Sequence, residues 1–201
     1  MALSRWQRQL LLLALCGVAF WFYMDSRGPA RAPGVLAPNA PVQSALAPGA
    51  KPFELRGYRI TPLAAITLEA RVIASQRYFS GREAELSALD LVLGWGRMSD
   101  SDMLVRVDFA QNDRRYVWHA YDPAIADDEI KTHTANLHVI PATAELDAKL
   151  KSLRPGHLAQ LQGLLVEARA ADGWKWGSSL AQAAGAAPAD ELVWVERLDA
   201  R

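Results

Sequence analysis

The stretch from Leu10 to Met24, LLLLALCGVAFWFYM, limits this chain most: it holds fifteen consecutive residues without a charge. As a helix it would rise about 22 Å, short of the roughly 30 Å hydrocarbon core of a bilayer. Recruiting Trp6 to Gln9 lengthens it, with Arg8 snorkelling and Trp6 and Phe20-Trp21-Phe22-Tyr23 at interfacial depth. The expectation is a transmembrane signal-anchor over residues 1–25. A cleaved signal peptide competes, because a charged start and a short apolar core are shared by both patterns. Against cleavage, bulky aromatics close the run, and Pro33 follows the small-residue site Ala30-Arg31-Ala32. Arg5 and Arg8 precede the run, while Arg27 and Arg31 after it are diluted by Asp25. That bias puts the N-terminus inside and predicts a single-pass protein of the bacterial inner (cell) membrane with a periplasmic domain.

Residues 26–52 read as a linker. From Pro29 to Pro52 there are six prolines and seven alanines, a composition that builds no core. Such a segment extends at about 3 Å per residue and would hold a domain up to roughly 70 Å from its anchor.

The rest has the content of a folded domain: 51% of the chain is hydrophobic, with seven tryptophans. The overall charge of zero divides into +4 over residues 1–52 and −4 over 53–201. An acidic domain lowers the prospect of nucleic-acid binding, which draws most of its affinity from phosphate neutralisation. Cys16 is the only cysteine, so the domain has no disulfide, no thiolate nucleophile and no cysteine metal ligand.

Along the domain, 53–60 alternates in the strand period with Gly57 as a bulge or close approach, and 66–73 alternates cleanly. Leu86, Leu89, Val92 and Leu93 fit a short helix broken by Gly94-Trp95-Gly96. Ser99 and Asp102 form a capping-box pattern for a helix through Met103, Leu104 and Val107. Residues 115–120 and 132–140 read as strands, 145–153 as a helix stopped by Pro155-Gly156, and 158–168 as a strand. Asp172-Gly173 predicts a hairpin turn, 181–190 a loop, and Leu192 to Val195 a closing strand. The fold class is α+β with β predominating: a small curled sheet or partly open barrel with two or three short helices over 53–198. The run Gly156 to Leu165 is similar to barrel strands of OB-type domains.

Three motifs, Gly94-Trp95-Gly96-Arg97-Met98-Ser99-Asp100, Asn136 to Ala142 (NLHVIPA) and Gly173 to Leu180 (GWKWGSSL), together resemble a family of small proteobacterial proteins. The resemblance spans residues 53–198 and implies one N-terminal membrane span and a soluble domain; the family has no established activity. Its members carry a Cys-Glu pair before the last strand, where this chain has Asp190-Glu191. That departure argues against a thiol-dependent role in this member, and the resemblance supplies no catalytic residues.

Trp95, Arg97, Asn136, His138 and Trp176 are the binding candidates. Asn136 and His138 share a face in a strand, whereas His133 and His138, five apart, fall on opposite faces. A metal site would need a third ligand from Asp127, Asp128 or Glu129; a solvated acidic turn accounts for these residues with less. Asp100 and Asp102 could hold a cation, but helix capping explains them too. Ser178-Ser179 lacks a G-x-S-x-G elbow. The tryptophans read as core, one per strand, except Trp95, which between its glycines is expected to be exposed and functional.

No catalytic residue, metal or cofactor follows from these patterns. The function expected is a membrane-tethered envelope binding or assembly module, contacting the bilayer through Leu10 to Met24 and another envelope protein through its domain. The alternatives are a metal-dependent or hydrolytic enzyme, and an OB-like nucleic-acid binder if the domain is cytoplasmic.

Overall fold

The computed structural model describes residues 4–26, 28–178 and 190–201. It is α+β and strand-rich. In chain order the elements are α1 (Arg5–Ser26), β1 (Val42–Ser44), β2 (Phe53–Leu55), β3 (Tyr58–Arg77), α2 (Arg82–Leu86) and β4 (Leu89–Gly94). Then follow a 3-10 turn (Gly96–Ser99), α3 (Ser101–Leu104), β5 (Val107–Asn112), β6 (Arg115–Ala120), α4 (Asp127–His133) and β7 (Thr134–Pro141). The chain closes with α5 (Ala144–Ser152), β8 (Leu158–Arg169), β9 (Lys175–Gly177) and β10 (Asp190–Ala200). The loop expected over 181–190 falls outside the described residues except for Asp190.

The long strand β3 curls the sheet. Its first part, Arg59 to Arg71, pairs with β8, and its second part, Arg71 to Arg77, pairs with β4. Register shifts between Pro62 and Ala64 and between Val72 and Ala74 mark where it bends. Pro62 has no N–H to give a ladder, so it sits at a shift rather than ending the strand. β4 continues to β7, β7 pairs in parallel with β10, and β10 pairs with β8, which returns to β3. β5 and β6 form a separate hairpin between β4 and β7.

Alternation sends Leu68, Leu91, Leu93, Leu137, Val139, Leu161 and Val193 to the inner face, where α5 adds Leu146 and Leu150. Thr143 caps α5 by accepting the Leu146 amide at 3.2 Å. A second apolar layer lies outside, with Ile60, Leu86, Ile140 and Leu192 packed by Phe53, Trp174, Trp176 and Trp194. A third, Met98, Met103, Val107 and Ile130 with Trp118, lies under the hairpin. The tryptophans therefore do not fill the interior one per strand: Trp95 alone of the five in the domain joins the inner cluster.

Several expectations are corrected. Residues 89–94 form a strand buried on both faces, so the apolar run has no alternation and imitates a helix. Residues 132–133 end α4, and the strand starts at Thr134. The expected helix from Ser99 shrinks to the single turn α3, with Asp100 as its cap. Gly57 is the turn of the β2–β3 hairpin, at φ 84°, rather than a bulge.

The Pro/Ala-rich segment is not a free spacer. Ala37 is fully buried and β1 pairs with Ala65 to Thr67 of β3. Ser99 Oγ accepts the amides of Leu36 and Ala37, each at 3.0 Å, and Gly96 donates to the Ala37 carbonyl at 2.7 Å. Proline fits here because a strap held by a few bonds has few N–H groups to satisfy.

The membrane expectation is also corrected. Among the described residues no helix is long and apolar enough to cross a membrane. α1 opens on Arg5, Gln7, Arg8 and Gln9, and the uncharged remainder rises only about 22 Å. The transmembrane, single-pass, signal-anchor reading and the inner-membrane location built on it are withdrawn.

Candidate functional site

The outer face of β4, β7 and β10 gathers the polar side chains. Register pairs Asp90 with His138 across β4 and β7, and Asn136 with Asp190 across β7 and β10. Asp90 is an acid in the middle of LDLVLG, and alternation turns it away from the inner leucines. The β5–β6 hairpin brings Arg114 over this face, where its Nη1 donates to Asp90 Oδ1 at 2.7 Å. Asp90 is fully buried, so this charge-assisted bond offsets part of its lost hydration, while its Oδ2 has no hydrogen-bond partner.

A network runs on from the pair. Asn136 Nδ2 donates to the Arg114 carbonyl at 2.9 Å and to Asp190 Oδ1 at 3.1 Å, while its Oδ1 accepts from Gln111 at 3.0 Å. His138 Nδ1 lies 3.0 Å from Asp90 Oδ1, out of line for a hydrogen bond, and its Nε2 lies 3.9 Å from Asp190. Burial raises the Asp190 carboxyl above its usual range, against the Asn136 hydrogen bond and the His138 charge. Its side chain is 41% exposed, so it is the member that meets solvent.

Aromatic rings frame the network. Trp176 packs on His138 with centroids 4.9 Å apart, and Arg114 sits 3.7 Å over the Tyr78 ring and 5.6 Å from Trp176. Arg82 makes the same kind of contact 4.8 Å over Trp174 and donates twice to Asp172, at 2.7 and 2.9 Å. These contacts fasten the β3–β4 loop to the β8–β9 hairpin. Beside Tyr78 stands Phe79, 90% exposed.

The expected site residues separate into two places. Asn136, His138 and Trp176 are brought together as described. Trp95 and Arg97 lie elsewhere, at the β4 end. Trp95 is 2% exposed, which corrects its expected exposure. Its flanking glycines serve packing: a Cβ on Gly94 would strike the Met98 carbonyl, and Gly96, at φ 52°, lies against the His133 ring. Arg97 pairs with Glu129 at 3.1 Å, its side chain half exposed.

His133 Nδ1 donates locally, to the Glu129 carbonyl at 2.9 Å, and the ring does not join His138. Among the described residues no group of three His, Cys, Asp or Glu side chains is placed to hold a metal ion. Asp100 is occupied as a cap: the amides of Gly34 and Asp102, in that order, hold its carboxyl below the usual range. Ser178 Oγ donates to the Leu192 carbonyl at 2.7 Å and accepts its amide at 2.9 Å, so it is a splice between strands. Ser179 lies outside the described residues.

Sequence reasoning missed Asp90, Arg114, Tyr78 and Phe79. A lone carboxylate inside an apolar strand was the available signal for Asp90, since buried acids require partners. Comparison of the chain with protein-family models, curated proteins and solved structures gives no match.

Proposed function

We propose that this protein is a binding module built on an OB-type barrel, with the outer face of β4, β7 and β10 as its recognition face. The observation carrying this is the convergence of Asn136, His138 and Asp190 with Trp176 of β9 and, through Arg114, with Tyr78 of the β3–β4 loop, whose neighbour Phe79 is exposed. The strand order β3-β4-β7-β10-β8, with a return to β3 and α5 between β7 and β8, supports the barrel reading. In OB-type barrels the second and third strands and the loops after the first and fourth strands form the ligand face. Here those strands are β4 and β7; the β3–β4 loop supplies Phe79, and the connection after β8 supplies Trp176 on β9. The GWGRMSD and NLHVIPA motifs furnish the Trp95 turn and this face, which keeps membership of the proteobacterial family within the proposal.

A protein partner suits the face best. Exposed and half-buried aromatics are enriched at interface centres. Nucleic acid suits it less, because the carboxylate that meets solvent on this face, Asp190, would repel an approaching phosphate. An enzyme using His138 is disfavoured because that ring is 4% exposed.

The test is a photo-crosslinking amino acid placed at Phe79 and, as a control, at Lys149 on α5. A defined adduct from Phe79 alone, lost in a folded Trp176→Ala variant, supports the face. Equal adducts at both positions, or none at Phe79, would sink it.

A further inference from the structure

A second site lies on the outer face of β3, β8 and β10, walled on one side by the N-terminal strap. Alternation turns Leu68, Leu161 and Leu198 into the interior and their polar neighbours outward. Register lays those neighbours in two rows across the sheet. Val42, Thr67, Gln162 and Arg197 form one row, and Glu69, Gln160 and Asp199 the other. Continued alternation from the buried Val195 would turn Arg197 inward; the register shift between the two brings Arg197 out beside Asp199. Asn39, Ala40 and Val42 of the strap close the rows into a cavity of about 330 Å³. That volume falls within the roughly 300–1,000 Å³ of small-molecule sites.

The charges lining this cavity are not all engaged. Glu69 Oε1 accepts from Arg201 Nη2 at 2.8 Å and from Gln160 Nε2 at 3.1 Å, so this carboxylate is neutralised. Arg197 and Asp199 are different. They stand two residues apart on one strand face, with about 7 Å between their Cα atoms, yet they form no ion pair with each other. Among the described residues neither side chain has a hydrogen-bond or ion-pair partner, and the Gln162 amide beside Arg197 has none either. A cation and an anion thus sit side by side, both open, at a cavity whose strap wall is apolar through Ala40 and the 61% exposed Val42.

We propose that this cavity binds a free α-amino acid with an aliphatic side chain. The Arg197 guanidinium offers a fork that matches the ligand's carboxylate, and the Asp199 carboxylate accepts from its ammonium. The Gln162 amide adds a donor for the ligand's carboxylate, and the aliphatic group lies against Val42 and Ala40. A singly charged ligand fits less well, because an anion would also meet Asp199 and a cation would also meet Arg197. The site shares only β10 with the recognition face, at the opposite end of that strand from Asp190.

Calorimetric titration of the full chain with L-leucine, 4-methylpentanoate and 3-methylbutylamine tests this. The second compound is leucine without its ammonium, and the third is leucine without its carboxylate. Leucine should bind saturably and about tenfold or more tighter than either, as expected for one extra charge-assisted contact in each comparison. Arg197→Gln should remove the advantage of leucine over the amine, and Asp199→Asn its advantage over the acid. Both side chains are exposed, so both variants keep the wild-type fold and its urea midpoint. No saturable leucine binding by the wild-type chain, acid or amine binding as tight as leucine, or leucine binding unchanged in both variants would each overturn the proposal.

Discussion

Asp90 and Arg114 form a buried ion pair at 2.7 Å, in which the Asp90 side chain is fully buried and the Arg114 side chain is 16% exposed. Asp90 lies on β4 and Arg114 in the β5–β6 turn, so the pair is the bolt between the curled sheet and the β5–β6 hairpin. It also fixes the recognition face, because the Arg114 carbonyl orients Asn136 and its guanidinium lies between Tyr78 and Trp176.

Removing one partner of a buried pair leaves the other charge unsolvated. Arg114→Ala should therefore destabilise the fold by about 3 kcal/mol. The double variant Asp90→Asn/Arg114→Ala should be less destabilised than Arg114→Ala, since no uncompensated carboxylate remains. Urea unfolding of the three proteins decides it; an Arg114→Ala cost below about 1 kcal/mol would mean a solvated pair.

Trp95 makes a second case. Its indole Nε1 is buried without a hydrogen-bond partner, so phenylalanine would lose volume but no bond. Trp95→Phe should cost about 1–2 kcal/mol and Trp95→Ala about 3–5 kcal/mol. An equal loss in both, measured by denaturant midpoint, would point to an indole N–H contact instead of packing.

His157 sets a pH dependence. Burial, then the charges of Arg31 and Arg154, lower its pKa, and its Nδ1 accepts the Arg154 amide at 2.9 Å. The neutral ring is the folded form, while the unfolded ring titrates near ~6.5. A depressed folded pKa means that this group's stabilisation is complete above the unfolded value and is lost as pH falls through the folded one. The midpoint should therefore fall between pH 7.5 and pH 5 in the wild type, and fall less in His157→Gln, whose amide oxygen can still accept. Equal slopes in the two proteins would remove His157 as the cause.

Where an element had one face buried, its period was readable. Residues 158–168 alternate because β8 turns every second side chain inward, and 145–153 show helical spacing because α5 covers one end of the sheet. β4 was misread because layers on both sides erase alternation. Asn136 and His138 could be placed on one face from β7 alone. Arg114 could not join them on paper, since only the docking of a hairpin 24 residues away from Asp90 puts its cation there. The strap was hidden for a different reason: six prolines describe a segment with few donors, and a free spacer and a docked strap share that property.

The strap gives the last prediction. Ser99 Oγ accepts two amides, from Leu36 and Ala37, and donates to the Gly96 carbonyl at 2.7 Å. Ser99 is fully buried, so Ser99→Ala leaves two N–H groups without an acceptor and no water to replace it. The expected cost is about 2–3 kcal/mol, concentrated locally. Hydrogen exchange should accelerate at Leu36 and Ala37 by at least about tenfold, while amides of β8 change by no more than the global loss allows. Ser99→Thr would keep the acceptor but add a methyl to a packed site, and should fall between the two. If Ser99→Ala left exchange at Leu36 and Ala37 unchanged, the strap would be held by β1 and Arg31 and not by this hydroxyl.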